Sequence, residues 1–118
     1  MSRNRSYILI AALVLFVIGG GVLINSTRSH GGQDVTIDLT VTGGSKMQPD
    51  NPSAHQNDRV TINLTSNSAG EVHLHGYDLH FDIRPGEKVS HTFTADKTGR
   101  FEIEWESTST HLGDFVVS

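Results

Sequence analysis

The architecture of this chain depends on one stretch of ten residues, Glu71-Val-His-Leu-His-Gly-Tyr-Asp-Leu-His80, three of which are histidines. His73 and His75 are two residues apart, so on a β-strand both side chains leave the same face. The apolar residues before Gly76 occupy even-numbered positions, whereas those after it occupy odd-numbered positions. We therefore predict a bulge or sharp bend near Gly76, which places His73 and His75 at the end of a strand, near the rim of the core.

The segments on either side of this stretch alternate apolar and polar residues with the period of a β-strand. Asp34–Thr42, Asp58–Ser66 and Phe101–Trp105 all place apolar side chains at every second position. Gly43–Asn57 has no period and is rich in Gly, Pro, Asn and Ser, so we predict a long loop there. About seven short strands of this kind, with turns roughly every 8–12 residues, predict an all-β fold built as a β-sandwich.

The N-terminal segment differs in composition from the rest of the chain. Arg3 and Arg5 precede Tyr7–Ile24, an uncharged and mostly apolar run. As a helix this run is roughly 27 Å long, enough to cross a bilayer, so we predict that residues 1–25 form a single transmembrane helix. A cleaved signal peptide is the alternative. Positive charge ahead of the run predicts a cytoplasmic N-terminus and a domain on the extracytoplasmic side, periplasmic or at the cell surface.

The remainder divides into a linker and one acidic domain. Residues 26–33 are polar and rich in Gly and Ser, which predicts a flexible tether ahead of a domain over residues 34–118. This domain carries all 13 acidic residues and six of the nine basic ones, a formal charge of −7. Such a charge disfavours nucleic acid as a partner. The chain has no cysteine, so neither a disulfide nor a thiolate metal ligand can form.

Five segments of the domain, taken in order and with their spacing, resemble a known family. They are Asp58-Arg-Val-Thr-Ile-Asn-Leu-Thr-Ser66, Val72-His-Leu-His-Gly-Tyr-Asp-Leu79, Arg84-Pro-Gly-Glu-Lys-Val89, Phe93-Thr-Ala-Asp-Lys-Thr-Gly-Arg-Phe-Glu-Ile103 and Leu112-Gly-Asp-Phe-Val-Val117. Together they resemble the cupredoxin-like domains of exported bacterial proteins, and the resemblance covers residues 34–118. It implies a Greek-key β-sandwich of about seven strands.

The resemblance also implies where a cupredoxin holds copper, and here the sequence departs from the family. His75 matches the first copper-binding histidine. The position of the cysteine ligand is occupied by Trp105, and His111 falls near the place of the axial methionine. A type 1 copper site needs the thiolate for its trigonal geometry and its tuned redox potential. Blue-copper electron transfer is therefore excluded.

A set of ligands without sulfur anions remains. We predict that His73 and His75, at the strand end, and His111, from the loop between the last two strands, converge at one end of the sandwich as a metal site. His80 and Met47 are secondary candidates, the first if the chain bends at Gly76 and the second if the long loop folds over that end. Imidazole suits Cu(II) and Zn(II). Copper is the predicted ion, with zinc as the alternative.

Two functions follow from these residues. The first is a membrane-tethered, extracytoplasmic domain that binds copper through histidines, for sequestration or transfer. The second is a metal-free β-sandwich that serves as an accessory or protein-interaction module, in which Asp78 or Glu106 satisfies the imidazoles by hydrogen bonds. The sequence contains no nucleophile elbow, phosphate-binding glycine loop or His-Glu-x-x-His motif, so we predict that the protein is not an enzyme.

Overall fold

A computed structural model describes residues 22–25 and 32–118 of the chain. Within these ranges the secondary structure consists of ten β-strands and one short 3₁₀ helix, Glu106–Thr108. The strands are β1 (Val22–Asn25), β2 (Asp34–Thr42), β3 (Lys46–Gln48), β4 (Ser53–Ala54), β5 (Arg59–Ser66), β6 (Gly70–Leu74), β7 (Leu79–Ile83), β8 (Lys88–Thr94), β9 (Gly99–Trp105) and β10 (Thr110–Val117).

The strands form two sheets of five. The first has the order β1-β2-β5-β8, with β3 paired to β2, and the second has the order β4-β10-β9-β6-β7. Most neighbours are antiparallel, but β2 and β5 run parallel, as do β4 and β10. The predicted all-β class is confirmed, and the two sheets are those of a β-sandwich.

The core lies between the two sheets and follows the alternation seen in the sequence. In β2 the odd-numbered residues from Val35 to Val41 are buried, and in β5 the even-numbered residues from Val60 to Leu64 are buried. Phe81 and Phe115 are the largest fully buried side chains of the described residues. Each strand therefore shows one apolar face to the core, and its other face is left for polar side chains.

The stretch around Gly76 forms a hairpin, so the predicted change of direction near Gly76 is a reversal of the chain and not a bulge within a strand. Strands β6 and β7 are antiparallel and are joined by a turn that contains Gly76, whose φ of +85° lies in the left-handed region. Val72 pairs with Phe81 and His73 pairs with His80. Each pair joins an even-numbered to an odd-numbered residue, so the change of parity follows from the reversal of the chain. Both apolar sets still face the core.

Two segments predicted as loops contain strands. The predicted long loop Gly43–Asn57 includes β3 and β4, and the segment after Trp105 forms the 3₁₀ helix and the start of β10. His111 consequently lies in a strand and pairs with Glu104 of β9. A register shift between His111 and Gly113 separates this pair from the rest of the β9–β10 ladder.

The predicted N-terminal anchor falls almost entirely outside the described residues. Its last four residues, Val22–Asn25, form β1, which pairs antiparallel with β2. The other residues of the predicted anchor, 1–21, and residues 26–31 of the predicted tether lie outside the described ranges. Within the described part of the chain, no helix has the length and apolar character needed to cross a membrane.

Candidate metal centre

Four histidines lie on the outer face of the second sheet. Val72 and Leu74 of β6 face the core, so His73 and His75 point to the opposite side. His80 of β7 pairs with His73 of β6. His111 of β10 pairs with Glu104 of β9, and Glu104 in turn pairs with His73. We call this surface the histidine face; it comprises His73, His75, His80 and His111 with the carboxylates that contact them, namely Glu71, Asp78, Glu102, Glu104, Glu106 and Asp114.

His73 is the centre of this surface. Its ring lies 4.0 Å from the ring of His75 and 4.1 Å from that of His80, measured between centroids. Its side chain is only 15% exposed. The Nδ1 atom is buried and lies 2.8 Å from Oε2 of Glu106. Its other ring nitrogen, Nε2, lies 3.5 Å from Oδ1 of Asp78, so each nitrogen faces a carboxylate and either is a candidate ligand atom.

The rings of His75 and His80 each contact a carboxylate closely. Nε2 of His75 is 2.8 Å from Oε1 of Glu104, and Nδ1 of His80 is 2.6 Å from Oε2 of Glu71. Asp78 Oδ1 is 3.3 Å from Nε2 of His80. The hydrogen bond to Glu71 raises the pKa of His80, and Asp78 acts in the same direction, while desolvation lowers it.

His111 and Met47 are placed differently from the first three candidates. Nδ1 of His111 is 3.0 Å from Oε2 of Glu102, and Oε1 of Glu102 is 3.9 Å from Nε2 of His75. Glu102 therefore lies between His111 and His75. Met47 is 4% exposed and belongs to the hydrophobic core, where its Cε lies beside Gly113. The structure thus places the ring of His73 in contact with the rings of His75 and His80. The carboxylate of Glu102 separates His111 from His75, and Met47 lies in the core.

Two groups of side chains have the chemistry and spacing of a metal site. They are His73 with Asp78 and His80, and His73 with His75 and Glu104; in each group the donor atoms lie within 4.8 Å of one another. Metal–nitrogen bonds of roughly 2.0–2.1 Å put donors on one tetrahedral ion about 3.3 Å apart, so modest side-chain movements complete either group. Two imidazoles and one carboxylate are ligands that Cu(II) and Zn(II) accept.

Glu104 is a candidate ligand that the sequence analysis did not select. It lies on β9 directly opposite His73 of β6, and its side chain is 16% exposed. The signal was present in the sequence, because Glu102, Glu104 and Glu106 all have the parity opposite to the buried Ile103 and Trp105. Only the pairing of β6 with β9 shows that this acidic stripe lies beside the histidines.

The side chain of Trp105 occupies the position at which the family resemblance puts a cysteine ligand. It is 5% exposed and belongs to the hydrophobic core. The indole packs against Gly44 and Gly70, and a Cβ atom on Gly70 would lie 2.2 Å from Cζ2 of Trp105. An apolar ring therefore fills this part of the core, and the candidate metal ligands lie on the opposite surface of the same sheet.

The Glu71→Gln substitution is expected to lower the pKa of His80 towards the ordinary histidine value of about 6.5. The carboxylate is the main cause of the raised pKa, and a neutral amide favours the imidazolium far less. Because the folded-state pKa is raised, the pair stabilises the fold below about pH 6.5, and this contribution is lost as the pH rises through the folded-state pKa.

An NMR titration of the His80 ring protons measures this pKa directly. Asp82→Asn is the matched control, since Asp82 pairs with Glu71 across the hairpin and is absent from the carboxylates that contact His80. Equal His80 pKa values in wild type and Glu71→Gln would contradict the assignment.

Comparison with known proteins identifies the fold. No protein-family model and no curated protein sequence matches this chain. A copper-binding protein, solved in solution in its apo form, aligns at 19% identity and a TM-score of 0.60 over 78% of this chain and 93% of that chain. The Cu(I)-bound metal-binding domain of a Cu(I)-exporting P-type ATPase from Streptococcus pneumoniae aligns at 18% identity and a TM-score of 0.62, over 79% and 92% of the two chains.

A third solved structure aligns along almost the whole sequence. It is a chain of a heme-copper terminal oxidase dimer, with 15% identity and a TM-score of 0.62 over 99% of this chain and 98% of that chain. At such identities the three likenesses show a shared fold, and they support the cupredoxin-like fold that the segment order implies. Two of the three neighbours are copper-binding domains.

Proposed function

We propose that this protein is a copper-binding, cupredoxin-like domain that holds the ion on the histidine face. The observation that carries the proposal is the position of His73, a mostly buried histidine that belongs to both candidate ligand groups. The copper-binding neighbours of the same fold add support. In this proposal His73 is a ligand in every bound state, and the other donors come from His75, His80, Asp78 and Glu104.

The donor set favours the oxidised ion. Imidazole nitrogen and carboxylate oxygen suit Cu(II), whereas Cu(I) prefers the sulfur of Cys or Met. The chain has no cysteine, and Met47 is in the core. The same ligands accept Zn(II), which is therefore the expected competitor. Without a thiolate the site serves sequestration or transfer of the ion, and the proposal assigns the protein no catalytic activity.

The proposal places the domain outside the cytoplasm, tethered to a membrane by residues 1–25. The apolar run Tyr7–Ile24 and the preceding Arg3 and Arg5 support it. A tethered domain encounters its ion at a membrane surface, so its natural role is to take up copper there and to hold it or pass it to a partner. Protease protection of the domain in sealed cells or vesicles tests the orientation.

Titration of the full chain in detergent with Cu(II) tests the proposed function. We expect one equivalent to bind and the melting temperature to rise. A ligand that binds only the folded state at a concentration 100 times its Kd adds about 2.7 kcal/mol of stability. Binding weakens as the pH falls, because an imidazole nitrogen must be deprotonated to bind the metal. No gain in melting temperature up to several equivalents would contradict the proposal.

One observation favours a second function, that of an accessory module in a larger membrane complex. The oxidase chain aligns over 99% of this sequence, a larger share than either copper-binding neighbour covers. In this alternative the histidine face is metal-free and contacts a partner protein. Mild-detergent purification of the tagged chain from its own host distinguishes the two: the alternative predicts a stoichiometric membrane partner whose binding does not change when copper is removed.

A further inference from the structure

We propose, on the basis of the proposed function, that the histidine face offers one copper ion two overlapping positions that share His73. The outer position consists of His73, Asp78 and His80, and the inner position consists of His73, His75 and Glu104. The ion is captured and released at the outer position and retained at the inner one. His80 and Asp78 therefore control how fast copper exchanges, while His75 and Glu104 control how tightly it is held.

The orientation of the rings shows why these are two positions and not one site with three histidines. An imidazole binds a metal in the plane of its ring. The planes of His73 and His80 are inclined by only 15° with centroids 4.1 Å apart, so they do not meet at bonding distance from both nitrogens. The planes of His73 and His75 are inclined by 38° at 4.0 Å, so less turning of the rings is needed before both can bind one ion. The inner pair is therefore nearer to a geometry in which both rings bind one ion, whereas the outer pair needs the His80 ring to turn.

The shared ligand limits the face to one ion at a time. A neutral imidazole has one nitrogen with a free lone pair, because the other nitrogen carries the proton. His73 can thus serve the outer or the inner position, but serving both at once requires loss of its second proton. The expected stoichiometry is one copper per chain, although the two groups together contain five side chains.

Exposure of the side chains gives the two positions their different roles. In the outer position Asp78 is 88% exposed and His80 is 46% exposed. In the inner position His75 is 41% exposed and Glu104 only 16%. Exposed side chains meet a hydrated ion or a chelator first, and exposed rings turn without disturbing the core. Nε2 of His75 and Oε1 of Glu104 are already in contact at 2.8 Å. Less exposed side chains that are already held in this way lose less conformational freedom when they bind an ion.

The move between positions is a ligand exchange with no change of oxidation state. The bonds from the ion to His80 and Asp78 break, the bonds to His75 and Glu104 form, and the bond to His73 is kept. His75 binds through Nε2 as the neutral tautomer with its proton on Nδ1, so its hydrogen bond to Glu104 is broken. An imidazolium at His75 first gives its Nε2 proton to water.

Kinetic and equilibrium measurements on the full chain in detergent separate the two roles. The probe is Cu(II) alone, and its binding is followed through the fluorescence of Trp105, the single tryptophan, which follows Glu104 directly in the chain. Stopped-flow mixing with Cu(II) gives the loading rate, mixing of the loaded protein with excess EDTA gives the removal rate, and competition with a chelator gives Kd. His55→Ala is the matched control, because His55 is 79% exposed and belongs to neither group.

The variants have opposite expected effects. His80→Ala is expected to slow both copper loading and copper removal by about tenfold and to leave Kd within about twofold, because a ligand used only in transit affects both directions equally. His75→Ala is expected to raise Kd by about tenfold or more and to leave the loading rate unchanged. Asp78→Asn acts like His80→Ala and keeps the backbone intact, since Asn tolerates the positive φ of 55° at this position.

Three results would overturn the inference. They are an equal rise in Kd for His80→Ala and His75→Ala, an unchanged exchange rate in both His80→Ala and Asp78→Asn, or two copper ions per chain. The proposed function fails in a different way, through a wild type that binds no copper or a His73→Ala variant with unchanged Kd.

Discussion

The His73→Ala substitution is expected to raise the Kd for Cu(II) by about 100-fold or more, the largest effect of any single histidine on this surface. Loss of groups that merely orient metal ligands already costs about 10–100-fold in affinity, and His73 belongs to both candidate ligand groups. The other histidines each belong to one group or none. Isothermal titration calorimetry or chelator competition on the full chain measures the change, with His55→Ala as the control.

The stability of the metal-free His73→Ala variant distinguishes a ligand from a structural histidine. A histidine that served the fold would make its buried hydrogen bonds, and its loss would leave a partner unsatisfied at a cost of about 1–3 kcal/mol. Glu106, whose carboxylate lies 2.8 Å from Nδ1 of His73, is 36% exposed and stays solvated when the imidazole is removed. We therefore expect the unfolding free energy of the metal-free variant to stay within about 1 kcal/mol of wild type. Large destabilisation with unchanged copper affinity would assign His73 to the fold alone.

The Phe115→Ala substitution is expected to destabilise the domain by about 3–5 kcal/mol, which is a large share of the roughly 5–15 kcal/mol that holds a domain together. Phe115 on β10 is fully buried, and its ring packs edge-to-face against Tyr77 and Phe93. No disulfide compensates for the cavity, since the chain has no cysteine. Urea unfolding followed by Trp105 fluorescence measures the loss.

Phe115→Leu is the matched control, because it keeps most of the buried volume and is expected to cost clearly less than the alanine variant. Copper affinity of the molecules that remain folded should be unchanged in both variants, since Phe115 faces the core and the ligands lie on the outer surface. A loss below 1 kcal/mol for Phe115→Ala would show that the β9–β10 ladder does not pack as described.

Much of the fold could be predicted from the sequence because each strand has one buried face. The apolar positions of Asp34–Thr42 define both the bounds and the inward face of β2. The hairpin at Gly76 was missed for a physical reason. Within a single strand, a switch of the apolar residues from even-numbered to odd-numbered positions indicates a bulge. The same switch arises when the chain reverses, so that Val72 pairs with Phe81 across a hairpin. The sequence alone does not separate a bend from a reversal.

The candidate site was less predictable because it is built from neighbouring strands. The alternation of His73 and His75 with the buried Val72 and Leu74 already places both histidines on the outer side of the sheet, His73 in β6 and His75 in the turn that follows. The family resemblance instead favoured the end of the sandwich, where cupredoxins hold copper. The proximity of Glu104 and His80 to His73 depends on the order of strands in the sheet, and no local pattern encodes that order.

The location of the bound ion tests the central claim most directly. Cu(II) is paramagnetic and broadens the NMR signals of nearby amides, so ¹H–¹⁵N spectra of the full chain with substoichiometric Cu(II) map the site. The histidine face predicts that signals of residues 71–80 and 102–106 disappear first, while those of β2 and β5 in the other sheet persist. Broadening centred on Gly44 and Met47, with the signals of His73 and His80 retained, would contradict it.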